Sequence, residues 1–250
     1  MTSSSLPPSL GVVGQGRLGT ALATALREAG VAVHGPVGRG EVPEGQAILL
    51  CVPDAEISAA AEVVAGAAPL VGHTSGATPL SAMASARAAL FGLHPLQTVA
   101  HPGDARFAGA GCAVAGSTPH ALAAARALAQ ALGMLPIEID DESRAAYHAA
   151  ASVASNFLVT LQAVAEEIAA GAGLEPGEAR AILAPLVERT VENWARHGPE
   201  RALTGPVARG DDATVAAQRE AVATSSPHLL GLFDELVERT RELASRGVPA

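Results

Sequence analysis

Three glycines in the spacing G-x-G-x-x-G separate an apolar run from a helical segment in this 250-residue chain. Gly14 suits a tight turn, Gly16 lets a phosphate approach the backbone, and Gly19 allows a helix to pack closely on a strand. The run before them, residues 10–13, is apolar, and the segment from Leu18 onward is typical of a buried helix. The pattern therefore predicts a strand–turn–helix unit that binds a dinucleotide pyrophosphate at the helix N-terminus.

Short apolar runs alternate with helical segments up to about residue 140, which predicts βαβ units on a parallel sheet. The predicted strands are Leu10–Val13, Val31–His34, Ala47–Val52, Leu70–His73, Ala89–Leu93, Cys112–Ala115 and Leu135–Ile139, and the predicted helices are Leu18–Ala29, Glu56–Ala65 and Ala121–Leu132. The later segments read as helices, at Glu142–Ala170, Pro176–His197, Ala213–Thr224 and Pro227–Arg246. The fold class predicted is α/β: a doubly wound Rossmann domain over residues 1–140, then an all-helical domain over residues 141–250 for substrate binding and dimerisation.

The residues after the second predicted strand indicate which dinucleotide binds. NAD enzymes usually place an acidic residue there, but this chain has none before Glu41 and has Arg39 instead. Arginine recognises a phosphate as a planar fork, so we expect NADP, with a solvated loop arginine as the alternative for Arg39. The residues expected to bind the cofactor are Gly14, Gln15, Gly16, Arg17, Leu18, Gly19, Arg39, Val52, Pro53, Asp54 and Ser75.

Polar residues follow several predicted strands, at the edge where open α/β sheets bind ligands. His94 comes after one such strand, and Pro95 favours an extended backbone there. Histidine titrates near neutral pH, so His94 is the leading candidate to protonate a carbonyl oxygen; a structural histidine is the alternative. His73 is a weaker candidate of the same kind, and Gln97 is a candidate to contact substrate. His94 and His101 lack a set of companion ligands, so we expect no metal site.

A polar stripe on the first C-terminal helix supplies further candidates. His148, Ser152 and Asn156 have the spacing i, i+4, i+8, which puts them on one face of a continuous helix. Such a stripe either bonds to neighbouring helices or faces a site; we assign the three residues to catalysis together with His94. Arg209, in a polar segment that could equally be a bare connector, is a candidate to bind a substrate carboxylate.

Seven segments together resemble a known family: VVGQGRLG, CVPDAEI, HTSGA, GLHPLQT, YHAAASVASN, LAPLVERTVEN and LTGPVARGD. In this order they are similar to the Rossmann-like proteins that carry a C-terminal domain of unknown function, number 2520. The resemblance extends over nearly the whole chain after residue 9. It implies an NADP oxidoreductase with a helical domain like that of 6-phosphogluconate dehydrogenase, often a dimer.

Related enzymes refine this expectation. Ketopantoate reductase-like enzymes carry a Lys-x-x-x-Asn pair on the helix between the domains; Asn156 matches the asparagine, but Ser152 stands in the lysine position. The GLHP segment resembles the histidine segments of prephenate and hydroxyacyl-CoA dehydrogenases, which supports His94. The resemblance thus implies a small 2-oxo acid, similar to ketopantoate, as substrate.

Composition excludes several classes of partner and mechanism. A net charge of −9 and an aromatic content of 2% argue against nucleic acid and anionic membranes as partners. Residues 1–9 lack the features of a signal peptide, and Cys51 and Cys112 lie in separate apolar runs, so we expect a cytoplasmic protein with reduced thiols. All sixteen basic residues are arginine, which excludes a lysine Schiff base or a lysine proton donor. The partners expected are a small-molecule substrate and a second copy of the chain.

Three functions fit these observations. The first is an NADPH-dependent reductase of a small carbonyl acid, with His94 or His148 as proton donor, Ser152 and Asn156 on the carbonyl, and Arg209 on the carboxylate. The second is a non-catalytic NADP-binding sensor or regulatory protein, which the absence of lysine favours. The third is hydride exchange between NADP and another redox cofactor such as a deazaflavin.

Overall fold

The computed structural model describes residues 5–246 and divides the chain into two compact units, between Ser155 and Asn156. Residues 1–4 and 247–250, which the expected domain limits include, lie outside the described range. The division follows helix α4 (Arg144–Ala154), whereas the predicted boundary precedes it. Among the described residues, no helix combines the length and the apolar character that a bilayer span requires.

The first unit is built on a seven-stranded sheet in the order β2-β1-β3-β4-β5-β6-β7. The strands are β1 (Ser9–Val13), β2 (Ala32–Val37), β3 (Ala47–Leu50), β4 (Leu70–His73), β5 (Ala89–Pro95), β6 (Gly111–Gly116) and β7 (Leu135–Glu138). Strands β1 to β5 pair in parallel, and the chain order reverses between β1 and β3. This is the doubly wound Rossmann-like arrangement, so the predicted fold class is confirmed.

The edge of the sheet departs from the expected all-parallel pairing. Strand β6 pairs antiparallel with β5, and β7 then pairs parallel with β6. A loop containing one 3-10 turn, Pro102–Asp104, joins β5 to β6, so no helix crosses over to return the chain in the same direction. Between β6 and β7, α3 (Pro119–Ala131) supplies such a crossover, and the pair is parallel.

Apolar residues of the central strands are buried on both faces of the sheet. In β3, Ala47 and Leu49 join one core cluster, while Ile48 and Leu50 join the other. The first cluster packs against α1 (Arg17–Glu28) and α3, and the second against α2 (Ile57–Val63) and the 3-10 segment Leu80–Ala86. Burial on both faces explains why these strands are continuous apolar runs, and it fixes their polar carboxyl ends at one edge.

The second unit is helical, as predicted, with two differences. Its elements are α5 (Asn156–Ala170), α6 (Pro176–His197), α7 (Pro199–Ala202), α8 (Pro206–Arg209), α9 (Asp212–Ser225), the 3-10 turn Pro227–Leu229 and α10 (Leu230–Arg246). The helix predicted over residues 142–170 is interrupted at Ser155, whose φ of −118° and ψ of −70° depart from helical geometry. The predicted polar connector contains α7 and α8, because prolines follow Gly198 and Gly205 and start new helical turns.

Candidate functional site

The glycine turn after β1 has the geometry that its spacing predicts. Gly14 has a φ of +110°, and its N–H donates to the Val37 carbonyl at 2.9 Å. A Cβ on Gly14 would lie 2.2 Å from the Cys51 carbonyl oxygen, and one on Gly19 would lie 2.0 Å from the Gly14 carbonyl oxygen. A Cβ on Gly16 would meet no heavy atom within 4 Å, so the space beside Gly16 is open to a ligand.

Helix α1 begins directly after this turn and points its N-terminus at the open space. Gly16 is the N-cap residue and offers no side chain to the first amides, and the first turn carries no acidic residue. Unpaired amides at the positive end of a twelve-residue helix bind an anion such as a pyrophosphate. The backbone here therefore fits the phosphates of a dinucleotide.

A cavity of about 540 Å³ lies beside the turn, between the ends of β1 and β3 where the strand order reverses. Open α/β sheets bind ligands at this topological position. Its lining includes Gly14, Gln15, Gly16, Gly38, Arg39, Gly40, Glu41, Cys51, Val52, Pro53 and Glu56. The Arg39 side chain is 82% exposed and forms an ion pair with Glu56, so its guanidinium lies at the rim and can meet a ligand phosphate. The Glu41 carboxylate accepts from the Gly38 amide at 2.6 Å.

The structure divides the predicted cofactor-binding residues into two groups. Those that line the cavity are Gly14, Gln15, Gly16, Arg39, Val52 and Pro53, whereas Arg17, Leu18, Gly19, Asp54 and Ser75 are outside its lining. Leu18 packs against the core and Arg17 is exposed at the start of α1. The Ser75 hydroxyl accepts from the Ala77 and Thr78 amides, so it shapes the loop after β4.

His94 lies at the carboxyl end of β5 and forms a hydrogen bond that the sequence did not indicate. Its Nδ1 is 2.8 Å from the phenol oxygen of Tyr147 on α4. The two rings meet edge to face, with centroids 5.6 Å apart and planes at 87°. Backbone pairing of His94 with Ala113 of β6 fixes the position of the histidine main chain.

His148 and Gly76 complete this cluster. The imidazole centroids of His94 and His148 are 6.0 Å apart. A Cβ on Gly76 would lie 2.7 Å from Cε1 of His94 and 2.9 Å from Cδ2 of His148. Strand β5, helix α4 and the loop after β4 thus bring two imidazoles and a phenol together.

Burial controls the protonation of the cluster. The pKa of His94 is lowered to about 4, mainly by desolvation and also by the neighbouring His148 and Arg144, while Asp54 opposes the shift. Desolvation likewise raises the pKa of Tyr147 to about 12. His94 and Tyr147 are therefore both neutral near neutral pH, and the bond between them joins two uncharged groups.

A buried arginine anchors α4 against the strand ends. Arg144 is 3% exposed, and its Nε donates to Oδ1 of Asp141 at 2.6 Å. Asp141 also accepts from the Leu80 amide at 3.2 Å, and Nη1 of Arg144 donates to the Ser75 carbonyl at 3.5 Å. These bonds fix the first turn of α4 and so position Tyr147 one turn later.

Three residues of this cluster were missed from the sequence. Tyr147 is the only tyrosine of the chain and directly precedes His148, and that rarity was a usable signal. Arg144, one turn earlier on the same helix, resembles any solvated helix arginine in the sequence. Gly76, in HTSGA, resembles an ordinary turn glycine, since nothing local shows that two histidines pack against it.

The remaining predicted site residues are distributed over both units. Ser152 is half-buried later on α4, whereas Asn156 begins α5 in the second unit. The interruption at Ser155 means that His148, Ser152 and Asn156 do not share one continuous helix, so that prediction is wrong. Gln97 follows β5, and its side-chain amide donates to the Thr98 carbonyl at 3.1 Å. Arg209 is exposed at the end of α8.

Comparison with known proteins defines the family. Residues 110–240, more than half of the chain, match the profile of a domain of unknown function, DUF2520. No curated protein matches the chain.

Solved structures are similar over nearly the whole length. A Bacteroides fragilis protein provisionally named an NADP oxidoreductase has a TM-score of 0.79 at 22% identity and covers 96% of this chain and 100% of its own. A Thermotoga maritima protein has a TM-score of 0.76 at 24% identity and covers 95% and 98%. An Aspergillus terreus reductive aminase, solved with NADPH and ethyl-5-oxohexanoate, has a TM-score of 0.61 at 15% identity and covers 95% and 97%. At these identities the similarity shows a common fold.

Proposed function

The chain belongs to the DUF2520 family, and we propose that it is an NADP-dependent oxidoreductase that reduces the carbonyl group of a small 2-oxo acid similar to ketopantoate. The single observation that carries the proposal is the glycine turn. Gly14 and Gly19 are close-packed against backbone, and only Gly16 faces open space, at the N-terminus of α1 and beside a cavity of about 540 Å³. If the three glycines served only close packing of the helix on the strand, Gly16 would also be expected to contact backbone.

The residues present fit NADP. The α1 amides would hold the pyrophosphate, and Arg39 at the cavity rim would bind the 2′-phosphate that distinguishes NADP from NAD. When bound, NADPH supplies a hydride. The similarity in fold to a reductive aminase solved with NADPH and a keto ester supports this choice of cofactor and of a carbonyl substrate.

His94 is the proposed group at the substrate carbonyl. It lies at the carboxyl end of β5, half-buried, with a pKa lowered to about 4 by burial. A neutral imidazole at this position donates a hydrogen bond to a carbonyl oxygen and so polarises it. His148 lies beside it, and contributions from Ser152, Asn156, Gln97 and Arg209 stay predictions.

Two measurements test the proposal. Calorimetry with NADPH and with NADH on the purified protein should show binding, with NADPH preferred. NADPH oxidation against a panel of small 2-oxo acids that includes ketopantoate should then identify turnover that His94→Ala and Asn156→Ala reduce. Binding of NADPH with no turnover of any acid would favour a non-catalytic sensor, and binding of neither nucleotide would overturn the proposal. An NADPH-dependent absorbance change of an added deazaflavin, with no organic acid present, would favour hydride exchange between cofactors.

A further inference from the structure

We infer that Tyr147 is a positioning residue for His94: its phenol O–H donates to Nδ1 and holds the imidazole as the tautomer with its proton on Nε2. The inference rests on the proposed function in taking His94 as the residue that meets the substrate carbonyl. Tyr147 itself would act through His94, and its hydroxyl would determine which imidazole nitrogen offers a proton.

The direction of the hydrogen bond follows from the two groups. The atoms are 2.8 Å apart, a normal length for a phenol bonded to an imidazole nitrogen. A phenol O–H is a stronger donor than the N–H of a neutral imidazole, and an imidazole nitrogen is a stronger acceptor than a phenol oxygen, so the favoured arrangement has Tyr147 donating. With His94 neutral, the arrangement in which Tyr147 donates places the single imidazole proton on Nε2.

The surroundings restrict the His94 ring on several sides. The Gly76 backbone lies close enough that an added Cβ would fall 2.8 Å from Nδ1. The His148 ring lies at a centroid distance of 6.0 Å, and β6 pairs with the His94 backbone. Tyr147 is in turn on the helix that Arg144 anchors through Asp141. The Tyr147 phenol is thus held against Nδ1 of His94, and the His94 ring has little freedom to rotate.

The charged and titratable groups near the pair come from three elements. His148 and Arg144 lie on α4 with Tyr147, Asp54 follows β3, and the Cys112 thiol lies on β6. None of them is within hydrogen-bond distance of Nδ1 among the described residues, where Tyr147 is the partner found. Removal of the phenol oxygen would therefore remove the hydrogen-bond partner of Nδ1. No other group in the described part of the chain would then select one tautomer of His94.

Imidazole nitrogen NMR of the ¹⁵N-histidine-labelled protein, without cofactor or substrate, tests the inference directly. At neutral pH we expect His94 to give the signature of the Nε2–H tautomer with a hydrogen-bonded Nδ1. His73 provides an internal reference, because its Nδ1 accepts from the Ser75 amide at 3.2 Å and so fixes the same tautomer by a backbone contact. In Tyr147→Phe, the His94 signals should move toward a mixture of tautomers, while those of His73 stay unchanged.

The result that overturns the inference can come from the wild type alone. A wild-type His94 with its proton on Nδ1 would show that the phenol accepts and does not select Nε2–H, even if Tyr147→Phe failed to fold. A folded Tyr147→Phe with unchanged His94 signals would show that the hydroxyl is merely structural. Thermal unfolding of the variant reports whether it is folded.

Separate measurements keep this inference distinct from the proposed function. NADPH calorimetry on both proteins should give the same affinity, because Tyr147 is outside the lining of the nucleotide cavity. If an active 2-oxo acid is found, kcat should fall at least about tenfold in Tyr147→Phe with little change in KM, as expected when proton donation is impaired. If the wild type binds no NADPH, the proposed function fails, while the tautomer measurement still stands.

Discussion

The backbone of Gly76 lies directly against the imidazole of His94, so that even a methyl group at position 76 would fall 2.7 Å from Cε1. The same methyl group would fall 2.9 Å from Cδ2 of His148. Real Cβ atoms essentially never approach this closely, so both rings must shift when a side chain is added. The absence of a side chain at Gly76 thus allows the imidazoles of His94 and His148 to pack against the backbone of this loop.

We therefore expect Gly76→Ala to displace His94 and His148 in a folded protein. Turnover of the best 2-oxo acid should fall roughly 100-fold, because a displacement on the ångström scale disturbs the reacting geometry, while NADPH affinity stays unchanged. The matched control is Gly103→Ala, where an added Cβ would meet nothing within 4 Å. Wild-type NMR signals for both imidazoles in Gly76→Ala would contradict this view of the site.

The glycines of the nucleotide turn should separate binding from folding. Gly16→Ala puts a methyl group into open space, so its free energy of unfolding should change by less than about 1 kcal/mol. The methyl group would occupy the approach of the pyrophosphate, and NADPH affinity should fall at least about tenfold. Calorimetry with NADPH, paired with thermal unfolding, measures both effects.

Gly19→Ala is the converse variant, because its Cβ would lie 2.0 Å from the Gly14 carbonyl oxygen. It should lower the unfolding temperature markedly before any ligand is added, since backbone must shift to admit the methyl group. If Gly16→Ala bound NADPH as well as the wild type, the assignment of the phosphates to this turn would be wrong.

Arg39 should determine the choice between the two dinucleotides. Arg39→Gln should weaken NADPH binding by about 10- to 100-fold and leave NADH binding nearly unchanged, because only NADPH carries the 2′-phosphate. Stability should hardly change, since the Arg39–Glu56 ion pair is exposed. Arg126→Gln is the control, as it removes a partly exposed arginine paired with Glu138. Equal losses for both nucleotides would show that Arg39 does not recognise the 2′-phosphate.

The parts of the molecule that the sequence predicted well depend on local patterns. The glycine spacing and the apolar run before it constrain one turn and one helix, and the structure has both. His94 could be placed at a strand end because Pro95 and the preceding apolar residues favour an extended chain. These signals lie within a few residues of the feature that they predict.

The parts that were missed depend on contacts between distant segments. The bond from Tyr147 to His94 spans 53 residues, and that from Arg144 to Ser75 spans 69. The direction of β6 depends on a connection without a crossover helix, which apolar runs do not reveal. The interruption at Ser155 falls between two segments of helical apolar spacing, so periodicity alone extended the helix through it.

Burial of His73 should make stability depend on pH. Desolvation lowers its pKa from 6.5 to about 4, and Arg144 adds to the shift. Between pH 6.5 and about pH 4, His73 is protonated in the unfolded chain but neutral in the folded one. The free energy of unfolding therefore decreases as pH falls from 6.5 to about 4. For this fully buried side chain the loss is about 3 kcal/mol.

Urea unfolding at about pH 7 and about pH 4 measures this loss. In His73→Asn, whose side-chain oxygen can still accept from the Ser75 amide, the difference between the two pH values should shrink relative to the wild type. The exposed His120→Gln is the control and should retain the wild-type difference. An unchanged pH dependence in His73→Asn would show that His73 does not resist protonation in the folded state.

The apolar face of α6 should be an interface between two copies of the chain. Ile182 and Leu186 are neighbours one turn apart on this helix, Trp194 follows two turns later, and the three are 62%, 63% and 56% exposed. Among the described residues of the helical unit, the buried ones are Ala179, Val215, Val222 and Ser226. This is a small hydrophobic core for a unit of this many helices. Contiguous exposed apolar side chains mark an association surface, and a second copy covers such a face with its own.

Sedimentation velocity should accordingly give a dimer for the wild type and a monomer for Leu186→Glu, because a buried carboxylate without a partner is strongly unfavourable. Arg201→Glu, a charge change on the exposed side of α7, should leave the dimer intact. NADPH affinity should survive in Leu186→Glu, since the nucleotide cavity is lined by residues of the first unit alone. A monomeric wild type would show that no such interface forms, and a dimeric Leu186→Glu would show that the interface lies elsewhere.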